Sequence, residues 1–174
     1  MNWRLSPRIY YNATLYAVRQ YFFKTKKYLT YPEVCKLFQD TKQQDYYALP
    51  AKVSQQIQKQ VDNDFKSFFG GLKSKKSKKI RLPKYKHKTK GRNMLVYTIQ
   101  AISKRVLEKE SCVLLSGTGI EISSRVTYEQ LKQARIVPIT NGYKVEIVYE
   151  KALVEQNSDK NKVASIDLGL NNLA

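Results

Sequence analysis

Apolar residues recur at helical spacing through the first part of the chain. Between Arg8 and about Tyr28 they fall at intervals of four, three and four, which places them on one face of a helix. These residues are Tyr11, Leu15, Val18 and Phe22. A longer stripe opens at Leu49-Pro50 and continues through Val53, Ile57, Val61, Phe65 and Phe68. The pair Gly70-Gly71 is predicted to end this second helix as a left-handed C-cap.

A capping box separates the two stripes. Thr30 is predicted as the N-cap, Glu33 follows three residues later, and Pro32 lies where a missing N–H does no harm. A short helix through Val34, Leu37 and Phe38 should follow. Three helices joined by short loops predict a small bundle over residues 1–72. Residues on the apolar stripes are assigned to core packing, whereas the polar positions Arg19, Gln56 and Lys59 are better candidates for contact with a partner.

From Asn93 onward the pattern changes to short runs typical of strands. Strands are predicted at residues 95–99, 111–115, 119–122, 135–139 and 143–150, with Asn141-Gly142 as the turn of a hairpin. Residues 99–110 suit either a strand or a helix, and residues 127–133 suit a short helical insert. Several short strands joined by tight turns favour a small antiparallel β-barrel or curled sheet over residues 93–156. The predicted fold class is therefore α+β.

Charge is the strongest bulk property of the chain. Thirty-two Lys and Arg residues against fourteen Asp and Glu residues give a net charge of +18. A field of this size attracts polyanions, so nucleic acid is the expected partner, with an anionic membrane surface as the weaker alternative. No apolar run approaches a membrane span and no signal peptide is evident, so a soluble cytoplasmic protein, associated with the nucleoid, is expected. Cys35 and Cys112 lie far apart, and neither a disulfide nor a zinc site is predicted.

Residues 73–92 form a basic segment with eleven cations and no acid. Its cations are Lys73, Lys75, Lys76, Lys78, Lys79, Arg81, Lys84, Lys86, Lys88, Lys90 and Arg92. Like charges in such a block repel one another, so the free segment should be extended or mobile. It could be a solvated linker, but phosphate contact is favoured because Pro83 and Tyr85 interrupt the run and the charges lack counterions. His87 is assigned no role.

The final segment carries one candidate catalytic residue. Asp167 follows a short apolar run that includes Val163 and Ile166, and Gly169 comes two residues after Asp167. A polar linker at residues 157–161 separates this strand from the predicted barrel. Asp167 could be an ordinary turn residue, or a strand could present its carboxylate to a Mg²⁺ ion, as in phosphodiester chemistry.

The terminal pattern D-x-G-x-x-N-x-A, which begins at Asp167, resembles the first catalytic strand of RuvC-like (RNase H-like) nuclease domains. Within that group it is most similar to the transposon-encoded TnpB (OrfB) family, relatives of type V CRISPR effectors. The resemblance extends over nearly the whole chain. It includes residues 11–16, the helix over residues 49–69, Leu82-Pro83-Lys84-Tyr85 and residues 143–150.

This resemblance implies a helical recognition module, an oligonucleotide-binding (wedge) barrel and, at residues 162–174, the first strand of the nuclease domain. The family's activity is RNA-guided cleavage of DNA, so guide RNA and double-stranded target DNA are the implied partners. Asp167 would be the first of three acids that bind Mg²⁺. Residues 1–7 are short for the family's initial barrel strand, and the nuclease pattern stops after one strand. Cleavage by this chain alone is therefore not expected. A stand-alone DNA-binding regulator and an inactive remnant are the alternatives.

Overall fold

The computed structural model describes residues 6–74 and 80–152 of the chain. Four helices come first: α1 (Ser6–Thr25), α2 (Tyr31–Asp40), α3 (Gln44–Tyr47) and α4 (Ala51–Ser74). An irregular segment at residues 80–94 then leads into the strands. The α+β class is confirmed.

Helix α4 is the centre of the helical half, since it packs against α1, α2, α3 and the first strand. The predicted stripe is confirmed: Val53, Ile57, Val61 and Phe65 are fully buried. The predicted end of the helix is wrong, because α4 continues past Gly70 and Gly71 to Ser74. Glycine permits a left-handed cap but does not impose one, and here the Ile80 side chain packs closely over Gly71.

Helix α2 begins at the predicted capping box. Glu33 Oε2 accepts hydrogen bonds from both the backbone N–H and the hydroxyl of Thr30, each 2.7 Å long. Val34 and Phe38 are buried as expected, whereas Leu37 is 38% exposed. The one-turn helix α3 was not predicted. It places Tyr46 in the core, where the ring contacts Tyr10 and the backbone carbonyl accepts a hydrogen bond from Ser54.

The second half contains, among its described residues, five strands and one α-helix. They are β1 (Leu95–Thr98), α5 (Lys104–Glu110), β2 (Cys112–Leu115), β3 (Ile120–Ser123), β4 (Leu131–Ile139) and β5 (Gly142–Tyr149). The ambiguous stretch after β1 forms a 3₁₀ turn, Ile99–Ala101, followed by α5. The predicted helical insert at residues 127–133 is wrong. Leu131 is buried at the start of β4 and pairs with β5, so the strand begins four residues earlier than predicted.

Within the described residues the strands do not close into a barrel. They form a three-stranded antiparallel sheet, β1-β4-β5, and a two-stranded sheet, β2-β3. The 3₁₀ turn and α5 interrupt the chain between β1 and β2, and an isolated bridge pairs Ile102, just after the 3₁₀ turn, with Leu115 of β2. The predicted hairpin is confirmed, with Ile139 paired to Gly142 around Thr140-Asn141.

One cluster of buried residues runs through both halves of the described chain. It extends from Leu15 and Phe65 in the helices to Leu95, Tyr97 and Ile136 in the sheet. Burial raises the pKa of Tyr97 to about 12. Gln60 strengthens the junction, because its amide donates to the Met94 carbonyl at 3.3 Å and accepts from Asn93 at 3.0 Å. The irregular segment is thus anchored to α4 where it enters β1.

Candidate nucleic-acid interface

The described part of the basic segment, residues 80–92, lies against helix α1. Asn12 holds it by a two-way contact with Lys86. The Asn12 side chain donates to the Lys86 carbonyl at 2.9 Å and accepts from the Lys86 N–H at 2.8 Å. An asparagine side chain has both N–H donors and a carbonyl acceptor. It can therefore bond the N–H and the C=O of one residue, as a neighbouring β-strand does. Residues 80–92 are thus docked against α1 and are not a solvated linker. The expectation that the free segment is extended or mobile stays a prediction.

Two arginines of α1 fix the same segment on either side of Asn12. Arg8 Nη1 donates to the His87 carbonyl at 3.3 Å, and Arg19 Nη1 donates to the Pro83 carbonyl at 2.9 Å. Both partners are backbone oxygens. The contacts therefore hold the main chain in place without neutralising any cation of the segment.

Arg19 is not the exposed contact that the sequence predicts. Its side chain is half-buried, and its guanidinium carbon lies 5.0 Å from the centroid of the Tyr85 ring and 5.5 Å from that of Phe23. The Arg19 guanidinium therefore binds the basic segment to α1. Tyr85 is 45% exposed, so part of its ring remains open to solvent.

The Lys86 side chain also contacts helix α1. Its ammonium nitrogen lies 4.6 Å from the centroid of the Tyr11 ring, and Tyr11 donates its hydroxyl to Asp64 Oδ2 at 2.5 Å. Burial, and then the hydrogen bond to Asp64, raise the pKa of Tyr11 well above its usual range. The phenol therefore stays neutral and keeps donating. Lys86 contributes to docking more than to the open surface.

His87 and Gly91 close a tight turn within the segment. His87 Nδ1 accepts from the backbone N–H groups of Thr89 and Lys90, each at 3.2 Å, and the Gly91 N–H bonds the His87 carbonyl at 3.0 Å. A Cβ on Gly91 would lie 2.5 Å from that carbonyl oxygen, which only glycine avoids. No local pattern in the sequence indicates this role of His87.

Four other cations of the docked segment have exposed side chains. They are Arg81, Lys84, Lys88 and Lys90, and none of them forms an ion pair within the described residues. We refer to these four side chains as the cationic strap. Arg92 is different, because its Nη1 donates to the carbonyls of Ile139 and Gly142, both at 2.9 Å. Arg92 thus joins the segment to the β4–β5 hairpin.

Gln56 and Lys59, the other predicted contacts, come together in a groove between α4 and the start of the sheet. The groove has a volume of about 230 Å³, and Lys52, Gln55, Thr98, Ile99 and Gln100 complete its lining. Lys59 Nζ lies 5.1 Å from the centroid of the Tyr31 ring. Thr98 Oγ1 is buried here without a hydrogen-bond partner in the described residues. Amides and lysines with no acid in the lining suit an anionic, hydrogen-bonding ligand. Sequence reasoning missed Lys52, although its position four residues before Gln56 places both residues on the same face of α4.

One further predicted contact, Lys73, is exposed near the end of α4. Several other predicted residues are not described by the structure. Lys75, Lys76, Lys78, Lys79 and Asp167 lie outside the described residues, as does the predicted strand at residues 162–167. In the parts of the chain that the structure does describe, no group of three His, Cys, Asp or Glu side chains could hold a metal ion. The Mg²⁺ expectation thus depends on Asp167 and on the resemblance.

Comparison with known proteins adds no family assignment. No protein-family model matches the chain, and a search of curated proteins finds none similar to it. Among the helices of the described residues, none has the length and apolar character that crossing a membrane requires.

Proposed function

We propose that this chain binds nucleic acid through the cationic strap and the groove around Gln56 and Lys59. The strap is the observation that carries the proposal. Its four cations have no acidic partner in the described residues, while hydrogen bonds from Arg8, Asn12 and Arg19 to backbone carbonyls hold the main chain beneath them. Such a surface suits a phosphate backbone, because the segment is already ordered before phosphates bind and their binding releases counterions.

We further propose that the chain is the nucleic-acid-binding portion of a TnpB-type RNA-guided DNA endonuclease, with guide RNA and target DNA as partners. The order of elements supports this proposal: helices, then a docked basic segment, then antiparallel strands. In the family's terms the helices correspond to the recognition module and the strands to the wedge module. Sequence-independent contact with phosphates is what a protein needs when base pairing reads the target.

The first experiment measures binding of a structured RNA hairpin and of a random DNA duplex by fluorescence anisotropy over a range of salt concentrations. The account predicts that the hairpin binds more tightly, and that both affinities fall steeply as salt rises, because released counterions drive the association. An RNA-free preparation whose binding is absent or insensitive to salt would contradict the proposal.

Asp167 has a separate place in this proposal, as a ligand of the Mg²⁺ ion that supplies charge neutralisation and an activated water in such nucleases. The pattern D-x-G-x-x-N-x-A supports the assignment. In a chain that also carries the other two implied acids, Asp167→Ala should abolish Mg²⁺-dependent DNA cleavage and leave RNA binding intact. Cleavage at the normal rate would show that the assignment is wrong.

A stand-alone DNA-binding regulator of the helix-turn-helix type is less well supported. Residues 41–43 do form a short turn between α2 and α3, as that motif requires. However, α3 has only four residues, which is a single turn. A recognition helix needs more length to reach several base edges in the major groove.

A further inference from the structure

A pocket of about 520 Å³ lies where helices α1 and α4 end, apart from the cationic strap. It is lined by two aromatic rings, one glycine and four lysines. The lysines are Lys26, Lys27, Lys66 and Lys73. We call this site the lysine pocket. Its volume lies within the range of ordinary small-ligand sites.

Only one of the four lysines has an acidic partner in the described residues. Lys66 Nζ lies 2.6 Å from Asp62 Oδ2, and the pair raises the pKa of Lys66. Asp62 is buried, and its other carboxylate oxygen accepts a hydrogen bond from the Tyr31 N–H at 3.3 Å. Both of its oxygens therefore already have partners. Lys26, Lys27 and Lys73 form no ion pair within the described part of the chain. The pocket is therefore suited to an anion.

The walls of the pocket are two half-buried rings, Tyr28 and Phe69, held in place by neighbours. Tyr28 stacks on Phe65 with an interplanar angle of 3° and a centroid distance of 5.9 Å. The Phe69 ring lies 5.3 Å from Tyr28 and 5.8 Å from Phe22. Because several rings brace both walls, their apolar surface is formed before any ligand arrives. A ligand for this site has a flat apolar part as well as negative charge.

Gly70 has no role in the packing of α4. A Cβ added there would meet nothing within 4 Å, whereas at Gly71 it would lie 3.1 Å from Ile80 Cδ1. Neither residue has a positive φ. A glycine inside a helix lowers its stability relative to alanine, so Gly70 is unfavourable for folding alone. The pocket offers a reason for a glycine at this position, because a side chain at residue 70 would extend into the open space of the lysine pocket.

Lysines near the ends of helices also stabilise those helices through the macrodipole. That effect accounts for charge at Lys26 and Lys73, but it requires neither the aromatic walls nor a glycine at residue 70. An anionic ligand with a flat ring accounts for all of these features together.

We propose that the lysine pocket holds one unpaired nucleotide of a nucleic-acid strand, with its base against Tyr28 and Phe69 and its flanking phosphates on Lys26, Lys27 and Lys73. This inference rests on the proposed function and adds a preference for single strands. A base inside a duplex is stacked on both faces and cannot enter the pocket, whereas an unpaired base can stack on protein rings.

The test compares two fluorescein-labelled RNA probes of about 12 nucleotides. One is unpaired oligoadenylate and the other is a blunt duplex of the same length. Gly70→Leu fills the pocket, while Gln44→Leu introduces the same side chain at an exposed position of α3 outside the pocket lining. Gly70→Leu should weaken binding of the unpaired probe by about tenfold and leave the duplex unaffected. Gln44→Leu should change neither.

The double variant Lys26→Gln/Lys27→Gln removes two charges of the pocket without filling it. It should also weaken binding of the unpaired probe more than binding of the duplex. If both pocket variants bind the two probes as the wild type does, or lose affinity equally for both, the pocket assignment is overturned while the proposed function stands. If the wild-type protein binds neither probe at any salt concentration, the proposed function and the pocket assignment both fail.

Discussion

At the residue scale, Asn12 and Arg19 show why the docking of the basic segment was not predictable. Their partners are backbone atoms of Lys86 and Pro83, which lie 74 and 64 residues further along the chain. Every residue carries a backbone carbonyl, so such a partner leaves no mark in the sequence. The spacing of α1 therefore identified its buried residues Tyr11, Leu15 and Val18, but Arg19 was wrongly assigned to an external partner.

Replacing Asn12 should release the segment locally. Asn12→Ala removes both hydrogen bonds to Lys86, and at about 1 kcal/mol each the loss corresponds to roughly tenfold or greater local opening. Amide hydrogen exchange at Lys86, measured by NMR, should quicken by that factor. Gln20→Ala, at an exposed position of the same helix, is the control and should leave the exchange rate unchanged. Unaltered exchange at Lys86 in Asn12→Ala would show that Asn12 does not hold the segment.

Gly91 should be intolerant of any side chain. Gly91→Ala places a Cβ against the His87 backbone, at 2.5 Å from the oxygen and 2.6 Å from the nitrogen, so we expect a loss of about 1–3 kcal/mol in the free energy of unfolding. Gly70→Ala is the contrasting variant and should stabilise the protein, because it improves helix propensity without a clash. Urea denaturation compares the two. Equal midpoints for Gly91→Ala and the wild type would contradict the tight turn.

At the element scale, local signals predicted most of the fold. The capping box located α2, the apolar stripes located α1 and α4, and β-branched runs located the strands, since each signal acts over a few residues. The errors arise where tertiary packing decides the outcome. Packing of Ile80 on Gly71 accompanies the extra turn at the end of α4, and pairing with β5 draws Leu131 into a strand. The order of the strands in the sheets depends on long-range pairing, which local patterns do not report.

The capping box gives a pH-dependent prediction. Hydrogen bonds from the Thr30 hydroxyl and backbone N–H lower the pKa of Glu33 below its ordinary value of about 4.3. Because the folded pKa is the lower one, this contribution to stability is present above the ordinary pKa and is lost as pH falls through the folded value. The wild type should therefore be more stable than Glu33→Gln at neutral pH, and the difference should shrink in acid. Thermal melts at both pH values measure it, and a difference independent of pH would contradict the assignment.

At the scale of the whole molecule, one buried core joins the helical and β halves, and the basic segment crosses their outer surface. Asn12 and Arg19 attach this segment to α1, while Arg92 attaches it to the β4–β5 hairpin. The net charge of +18 was enough to predict a polyanionic partner. It could not indicate which cations are used internally. The fold assigns Arg19, Lys86 and Arg92 to docking and leaves the cationic strap free.

The most direct test of this account is the salt dependence of RNA binding when the cationic strap is removed. The four-site variant changes Arg81, Lys84, Lys88 and Lys90 to Gln. A matched control changes one arginine and three lysines at exposed positions elsewhere, namely Lys36, Lys42, Arg105 and Lys109. Both variants lose the same net charge.

If the strap contacts four phosphates, the slope of log affinity against log salt should fall in magnitude by about 3 in the strap variant and far less in the control. Equal slopes in the two variants would mean that only overall charge matters. That result would contradict the claim that the docked segment is the nucleic-acid interface.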